Sequence, residues 1–139
     1  MEIIGRKDIV SFPTFHLENV PVKIDSGAYS SSIHCSFINF IEKDNLLEVI
    51  FLDQETPGYS GNKIVFTNFS KKIVKSSNGL AQERFFVKGD IKLFGKSYET
   101  VFSLTERSGL KNPVLLGRRV LNKRFLIDTS KVNLSNKMD

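Results

Sequence analysis

Val22-Lys23-Ile24-Asp25-Ser26-Gly27-Ala28 decides the reading of this chain. An apolar strand runs directly into an acid, a hydroxyl and a glycine. Glycine permits a sharp turn, and the turn leaves Asp25 at a strand end instead of inside the core. Taken alone, Asp-Ser-Gly is also a common turn tripeptide in which the acid caps its own backbone. A companion stretch lies near the other end, Pro113-Val114-Leu115-Leu116-Gly117-Arg118. There a second apolar strand stops at a second glycine.

Strand signals extend outward from both stretches. Ile9 to Phe12 reads as a first strand stopped by Pro13, with a turn region over Phe15 to Asn19. Val20 to Asp25 is the strand that delivers the acid. Tyr29 to Ser36 alternates, with Ile33 and Cys35 on one side and Ser32, His34 and Ser36 on the other, a strand with a polar face. Phe37 to Ile41 fits a short helical turn or an extended piece. Lys43-Asp44-Asn45 is a turn, Leu46 to Leu52 a β-branched strand, and Asp53 to Asn62 a loop with Pro57-Gly58 and Ser60-Gly61. Ile64 to Phe69 and Ile73 to Val74 continue the sheet.

Ser76-Ser77-Asn78-Gly79 is a hairpin signal. Beyond it Phe85, Val87, Ile91 and Leu93 face one way, and Arg84, Lys88, Asp90 and Lys92 the other. Phe94-Gly95-Lys96 reverses the chain. Tyr98, Thr100, Phe102 and Leu104 repeat the period of two. Thr105 to Asn112 is a loop. One short helix follows Gly117, Phe125 to Asp128 closes the sheet, and residues 130–139 form a frayed polar tail. Many short strands with one short helix mean an all-β barrel or sandwich.

Composition limits the function classes. A chain of 139 residues fits one domain spanning residues 1–139. At that size roughly two-thirds of the unfolded surface is buried, and 12 Phe among 40% hydrophobic residues supply a core. The lone Cys35 gives no internal disulfide framework and suits a reducing cytoplasm. No signal peptide is legible at Met1-Glu2-Ile3-Ile4, and no apolar run approaches the roughly 20 residues of a membrane span. A net charge of +5 suits ordinary solubility or an acidic partner. The cations are spread along the chain without aromatic interleaving, so nucleic acid is unsupported and an acidic peptide fits the charge equally well.

The order Asp-Ser-Gly-Ala, then much later apolar-apolar-Gly-Arg, resembles the retropepsin-like aspartic proteases. A narrower set of residues is similar to one bacterial and archaeal family, the ATP-dependent zinc proteases. These residues are Ile4-Gly5-Arg6, Phe12-Pro13, Asp25-Ser26-Gly27-Ala28 with His34, Ser76-Ser77-Asn78-Gly79, Glu83-Arg84 and Leu115-Leu116-Gly117-Arg118. The resemblance runs from about Ile3 to Asp128. It implies a closed retropepsin-like β-barrel and an association with ATP-grasp ligases that add glutamates to a ribosomal protein.

Aspartic proteolysis needs two carboxylates roughly 3 Å apart sharing one proton, because like charges that close cannot both ionise. This chain carries one Asp-Ser-Gly. Activity therefore requires a homodimer in which Asp25 meets its symmetry mate. Under the resemblance Ser26 and Gly27 brace and shape that loop. Ala28, Tyr29 and His34 lie toward the substrate, with Arg118 behind the loop. The hairpin carrying Ser77, Asn78 and Gly79 stands where a flap would exclude water. Viral retropepsins carry an acid directly after Ala, which pairs with the later arginine. The zinc protease family usually has arginine there. This chain has Tyr29, so Arg118 loses that partner.

Three readings follow. The first is a homodimeric aspartic peptidase acting on peptides or amino-acid-modified acidic protein tails. The second is a non-catalytic binding module for an ATP-grasp ligase or an acidic peptide. The third is a zinc hydrolase. Zinc has thin support: there is no His-Glu-x-x-His, and only His16, His34 and Cys35 offer nitrogen or sulfur. Without metal or cofactor, His34 reads as a hydrogen-bonded structural histidine and Cys35 as a small core residue. No Gly-x-x-x-x-Gly-Lys-Ser or Gly-x-x-x-x-Gly-Lys-Thr phosphate-binding loop occurs, so the ATP of the family's name would belong to a partner ligase.

Overall fold

The computed structural model describes residues 1–75, 79–106 and 112–138. Its strands are β1 (Glu2–Ile4), β2 (Lys7–Phe12), β3 (Leu17–Ile24), β4 (Ser31–Ile41), β5 (Leu46–Phe51) and β6 (Lys63–Phe66). They continue as β7 (Ser70–Lys75), β8 (Ala81–Leu93), β9 (Lys96–Thr105), β10 (Val114–Leu116) and β11 (Phe125–Ile127), with α1 (Arg118–Leu121) between the last two. Neighbours run β10, β3, β2, β8, β9, β4, and β4 pairs again with β10. The ring closes, which removes the edges that an open sheet would expose.

β10 is the closing strand. It lies parallel to β3, with Leu116 opposite Ile24, and antiparallel to β4, with Leu115 opposite Ser32. β4 serves two neighbourhoods. Ser31 to His34 pair with β9, and Cys35 to Ile41 pair with β5. The register shifts between Cys35 and Phe37, and this bulge lets one strand bend from the barrel into a wing of β4, β5 and β6. The stretch Phe37 to Ile41 is thus extended, one of the two conformations its sequence allows.

The core follows the period of two. Phe12, Phe15, Phe102, Leu93 and Ile91 are fully buried, and Phe15 stacks on Phe51 at 4.2 Å between ring centroids. Phe15 reaches there from a 3-10 turn at Pro13–Phe15, so the turn comes earlier than the sequence suggests and β3 already begins at Leu17. Proline's fixed φ starts that turn, and His16 ends it in the left-handed region at φ 56°. Gly89 on β8 makes the space: a Cβ there would lie 2.3 Å from the Phe15 ring.

Two expectations about the termini are corrected. Phe125 to Ile127 does not close the main sheet. It pairs parallel with β1, a stretch too short for its period to be legible, in a separate two-stranded sheet. The C-terminal segment is not a frayed tail. Asp8 is 1% exposed, and its carboxylate accepts the backbone N–H groups of Ile9, Ser135 and Asn136 at 2.8, 2.9 and 3.1 Å. Ser135 in turn accepts the N–H of Phe94 at 2.8 Å. A buried carboxylate needs such donors, and the polar tail supplies them. Among the described residues no helix is long and apolar enough to cross a membrane.

Candidate active site

The end of β3 is pinned from two sides by backbone. Ile24 donates its N–H to the Arg6 carbonyl at 2.9 Å, and Asp25 donates to the Leu116 carbonyl at 2.9 Å. Asp25 is half-buried. Its Oδ1 accepts the N–H of Gly27 at 3.0 Å, and its carbonyl accepts Ala28 N–H at 3.3 Å. The acid therefore caps its own turn through Oδ1, as the tripeptide alone suggests. A Cβ at Gly27 would lie 3.2 Å from Oδ1 and would crowd that bond.

The second glycine closes the loop from behind. Gly117 donates its N–H to the Ser31 hydroxyl at 3.1 Å. Arg118 and Arg119 donate theirs to the carbonyls of Ala28 and Tyr29 at 2.8 and 2.9 Å. The backbones approach so closely that a Cβ on Gly117 would sit 2.6 Å from the Tyr29 carbonyl oxygen and 2.7 Å from that of Ser30. Glycine is needed here for close approach. The Arg118 guanidinium donates to the Ser26 carbonyl at 2.9 Å and lies over the Tyr29 ring at 6.0 Å. Arg118 thus replaces its missing acid with a carbonyl and an aromatic face.

These contacts bring together Asp25, Ser26, Gly27, Ala28, Tyr29 and Arg118. Ser26, Gly27 and Tyr29 are exposed, so the loop presents itself outward. A family model described as RimB-like, "Retropepsin-like aspartic endopeptidase RimB", matches residues 3–138. The chain belongs to this RimB-like family. Among curated relatives, the protein named "Probable alpha-L-glutamate ligase" of Shewanella pealeana is 31% identical over 92% of this chain and 28% of its own length. That of Shewanella halifaxensis is 32% identical over the same shares. The chain thus spans a little over a quarter of these relatives. A crystal structure of the Legionella pneumophila protein Lpg0085, of unknown function, matches with a TM-score of 0.66 at 24% identity, covering 96% of this chain and 98% of that one. That likeness concerns the fold.

Other residues singled out in the RimB-like chain lie apart from the loop. His34 sits further along β4, beside Thr105 of β9. It is 3% exposed, not on an open polar face, because the chain after β5 covers that side of the strand. Its Nε2 lies 3.3 Å from Asp53 Oδ2, while Asp53 Oδ1 accepts from Glu55 N–H and the Thr56 hydroxyl at 3.1 and 3.0 Å. Asp53 was missed in the sequence. Its only signal was an Asp-x-x-Thr spacing directly after a strand.

Zinc does not fit the described residues. No group of three His, Cys, Asp or Glu side chains converges among them, and His34 is directed to Asp53. Cys35 is fully buried, and burial, reinforced by the Glu106 charge, pushes its thiol far up and leaves it inert.

The hairpin residues divide. Ser77 and Asn78 lie outside the described residues. Gly79 is described, exposed, with φ +82° and nothing within 4 Å of a Cβ position. The flanking strands pair from Ser70 opposite Phe86 to Lys75 opposite Ala81. Beneath this hairpin is a groove of about 450 Å³, lined by Val74, Arg84, Phe85 and Ile38 with Thr105 and Glu106. Asp25 does not line it.

Proposed function

We propose that this RimB-like chain is the half-site of an aspartic peptidase, active as a homodimer in which each protomer contributes Asp25. The observation that carries the reading is the backbone clamp on the Asp25 loop. Bonds from Arg6, Leu116, Arg118 and Arg119 fix a half-buried carboxylate at the lip of a closed barrel. Preorganisation of that kind is what acid–base chemistry on water requires. One chain offers one such carboxylate, so the pair must come from two.

In the pair, one carboxylate is ionised and takes a proton from water. The water oxygen bonds to the scissile carbonyl carbon while the protonated partner donates to the carbonyl oxygen. Collapse of the tetrahedral species breaks the carbon–nitrogen bond, and the proton taken from water passes to the leaving amine. Ser26 and Gly27 shape the loop, and Arg118 holds Ser26 by its carbonyl. The β7–β8 hairpin acts as the flap, with Gly79 near its tip. The substrates are peptides or acidic, amino-acid-modified protein tails, to which the net charge of +5 is suited. Asp25→Asn keeps the fold and abolishes hydrolysis of an oligo-glutamate peptide. Undiminished turnover in that variant removes Asp25 from the mechanism.

A second reading has its own support. The curated relatives are named as alpha-L-glutamate ligases and are several times longer than the match. In them a domain like this one belongs to a larger protein, so a non-catalytic role beside a glutamate ligase is the alternative. A stable monomer that co-purifies with a ligase and cleaves nothing would favour it.

A further inference from the structure

We propose that the outer edge of β7 captures an extended acidic peptide as an added strand, at a site separate from the Asp25 loop. β7 reads Ser-Lys-Lys-Ile-Val-Lys and pairs with β8 alone among the described residues. Its other edge therefore carries backbone donors and acceptors with no strand beside them. The strand is exposed except at the half-buried Val74, with Ile73 at 72%.

Charge tells what would lie there. Lys72 stands directly opposite Arg84 in the ladder. Like charges in that position repel across the strands. Among the described residues no carboxylate reaches within ion-pair distance of either one. Lys71, by contrast, is 3.7 Å from Glu83 and already offset. The ammonium of Lys72 is held over the Phe86 ring at 5.2 Å, so the charge is placed and not free-swinging. The open edge at β6 behaves differently: there Lys63 is paired with Glu48 at 3.6 Å. On β7 an open edge coincides with Lys72, and Arg84 stands opposite on β8 with only the neutral Gln82 side chain accepting from it at 3.5 Å among the described residues.

An anion that relieves Lys72 and Arg84 while satisfying the edge must carry its own backbone amides at strand spacing. A peptide in extended form does this, with alternate side chains on the Lys72 face and the intervening ones beside Lys71 and Lys75. A nucleic acid would meet the cations but has no amide ladder. The site does not depend on what Asp25 does.

The test uses the full chain with Asp25→Asn, so that nothing is cleaved, and a fluorescent oligo-L-glutamate read by anisotropy. Binding is expected, weakening as salt is raised. Lys72→Glu weakens it about tenfold, the scale of one charge-assisted contact. The same peptide N-methylated at alternate residues, which lacks edge donors, binds worse than its parent. Equal affinity of the parent and Lys72→Glu proteins overturns the proposal. So does equal binding of the methylated peptide or of single-stranded DNA, which would leave the lysines as guards against edge-to-edge association. Loss of peptidase activity with binding intact separates a failure at Asp25 from a failure here.

Discussion

The Asp25 loop and the β7–β8 hairpin are both turns between strands, yet they are held in opposite ways. The loop is gripped by backbone from two distant segments, Arg6 and Leu116 to Arg119, and the second is itself tied by the Gly117 N–H to the Ser31 hydroxyl. Gly117 is required there because backbone carbonyls crowd it, and a Cβ at Gly27 would press on Asp25 Oδ1. The hairpin has one neighbour for β7, exposed side chains, and a Gly79 with empty space around it. Crowding fixes geometry, which chemistry on water needs. Openness leaves room for a second chain to enter, which capture needs.

The comparison breaks most sharply at Asp25. Asp25→Asn costs about 10³-fold or more in peptide turnover, the scale of a lost general acid–base group, with the circular dichroism spectrum unchanged. Phe15→Ala tests the support beneath both regions. Phe15 is fully buried and packs on Phe51 and Phe102. Its loss destabilises the fold by about 3–5 kcal/mol in chemical denaturation. A loss below about 1 kcal/mol would mean that the site collapses around the gap.

Glycine substitutions sharpen the contrast. Gly117→Ala forces a Cβ onto two carbonyl oxygens at 2.6 and 2.7 Å, and backbone cannot swing aside as a side chain can. A loss of about 1–3 kcal/mol is expected, and turnover falls with it because the Asp25 loop shifts. Gly79→Ala meets no atom, and only its φ of +82° is strained. It costs at most about 1–2 kcal/mol, with the Asp25 loop undisturbed. Equal effects on turnover would erase the difference between the regions.

Much of this was legible in the chain. Alternation set β8 and β9 because each has a solvent face and a core face, as at Val87–Lys88 and Ile91–Lys92. The apolar run into Asp25 and the run into Gly117 pointed to two strand ends that meet. The burial of His34 was not legible, since alternation gives sides of a strand and not what covers them. The β1–β11 pair was hidden because three residues carry no period. The docking of residues 131–136 depends on Asp8, 127 residues away from Ser135 in the chain. Contacts of that range leave no local signal. In sequence Tyr29 leaves Arg118 without an acid, whereas in the fold the Tyr29 ring and the Ser26 carbonyl occupy the guanidinium.

The smallest expected effect lies outside both regions. The Ser130 hydroxyl donates to Asp128 at 2.6 Å, and with the Ser130 N–H it holds that carboxyl below its usual range. A depressed group adds stability above its unfolded pKa and loses it as pH falls through the folded one, so the contribution fades below about pH 4. Ser130→Ala raises the Asp128 midpoint in an NMR titration and barely moves the melting temperature. An unmoved midpoint would assign the shift to another group.

Specific activity against protein concentration tests the shared carboxylate most directly. Turnover per chain should fall on dilution in step with the loss of dimer mass in sedimentation, and mixing with excess Asp25→Asn chain should silence wild-type protomers. Constant turnover per chain from a sedimenting monomer would contradict the account.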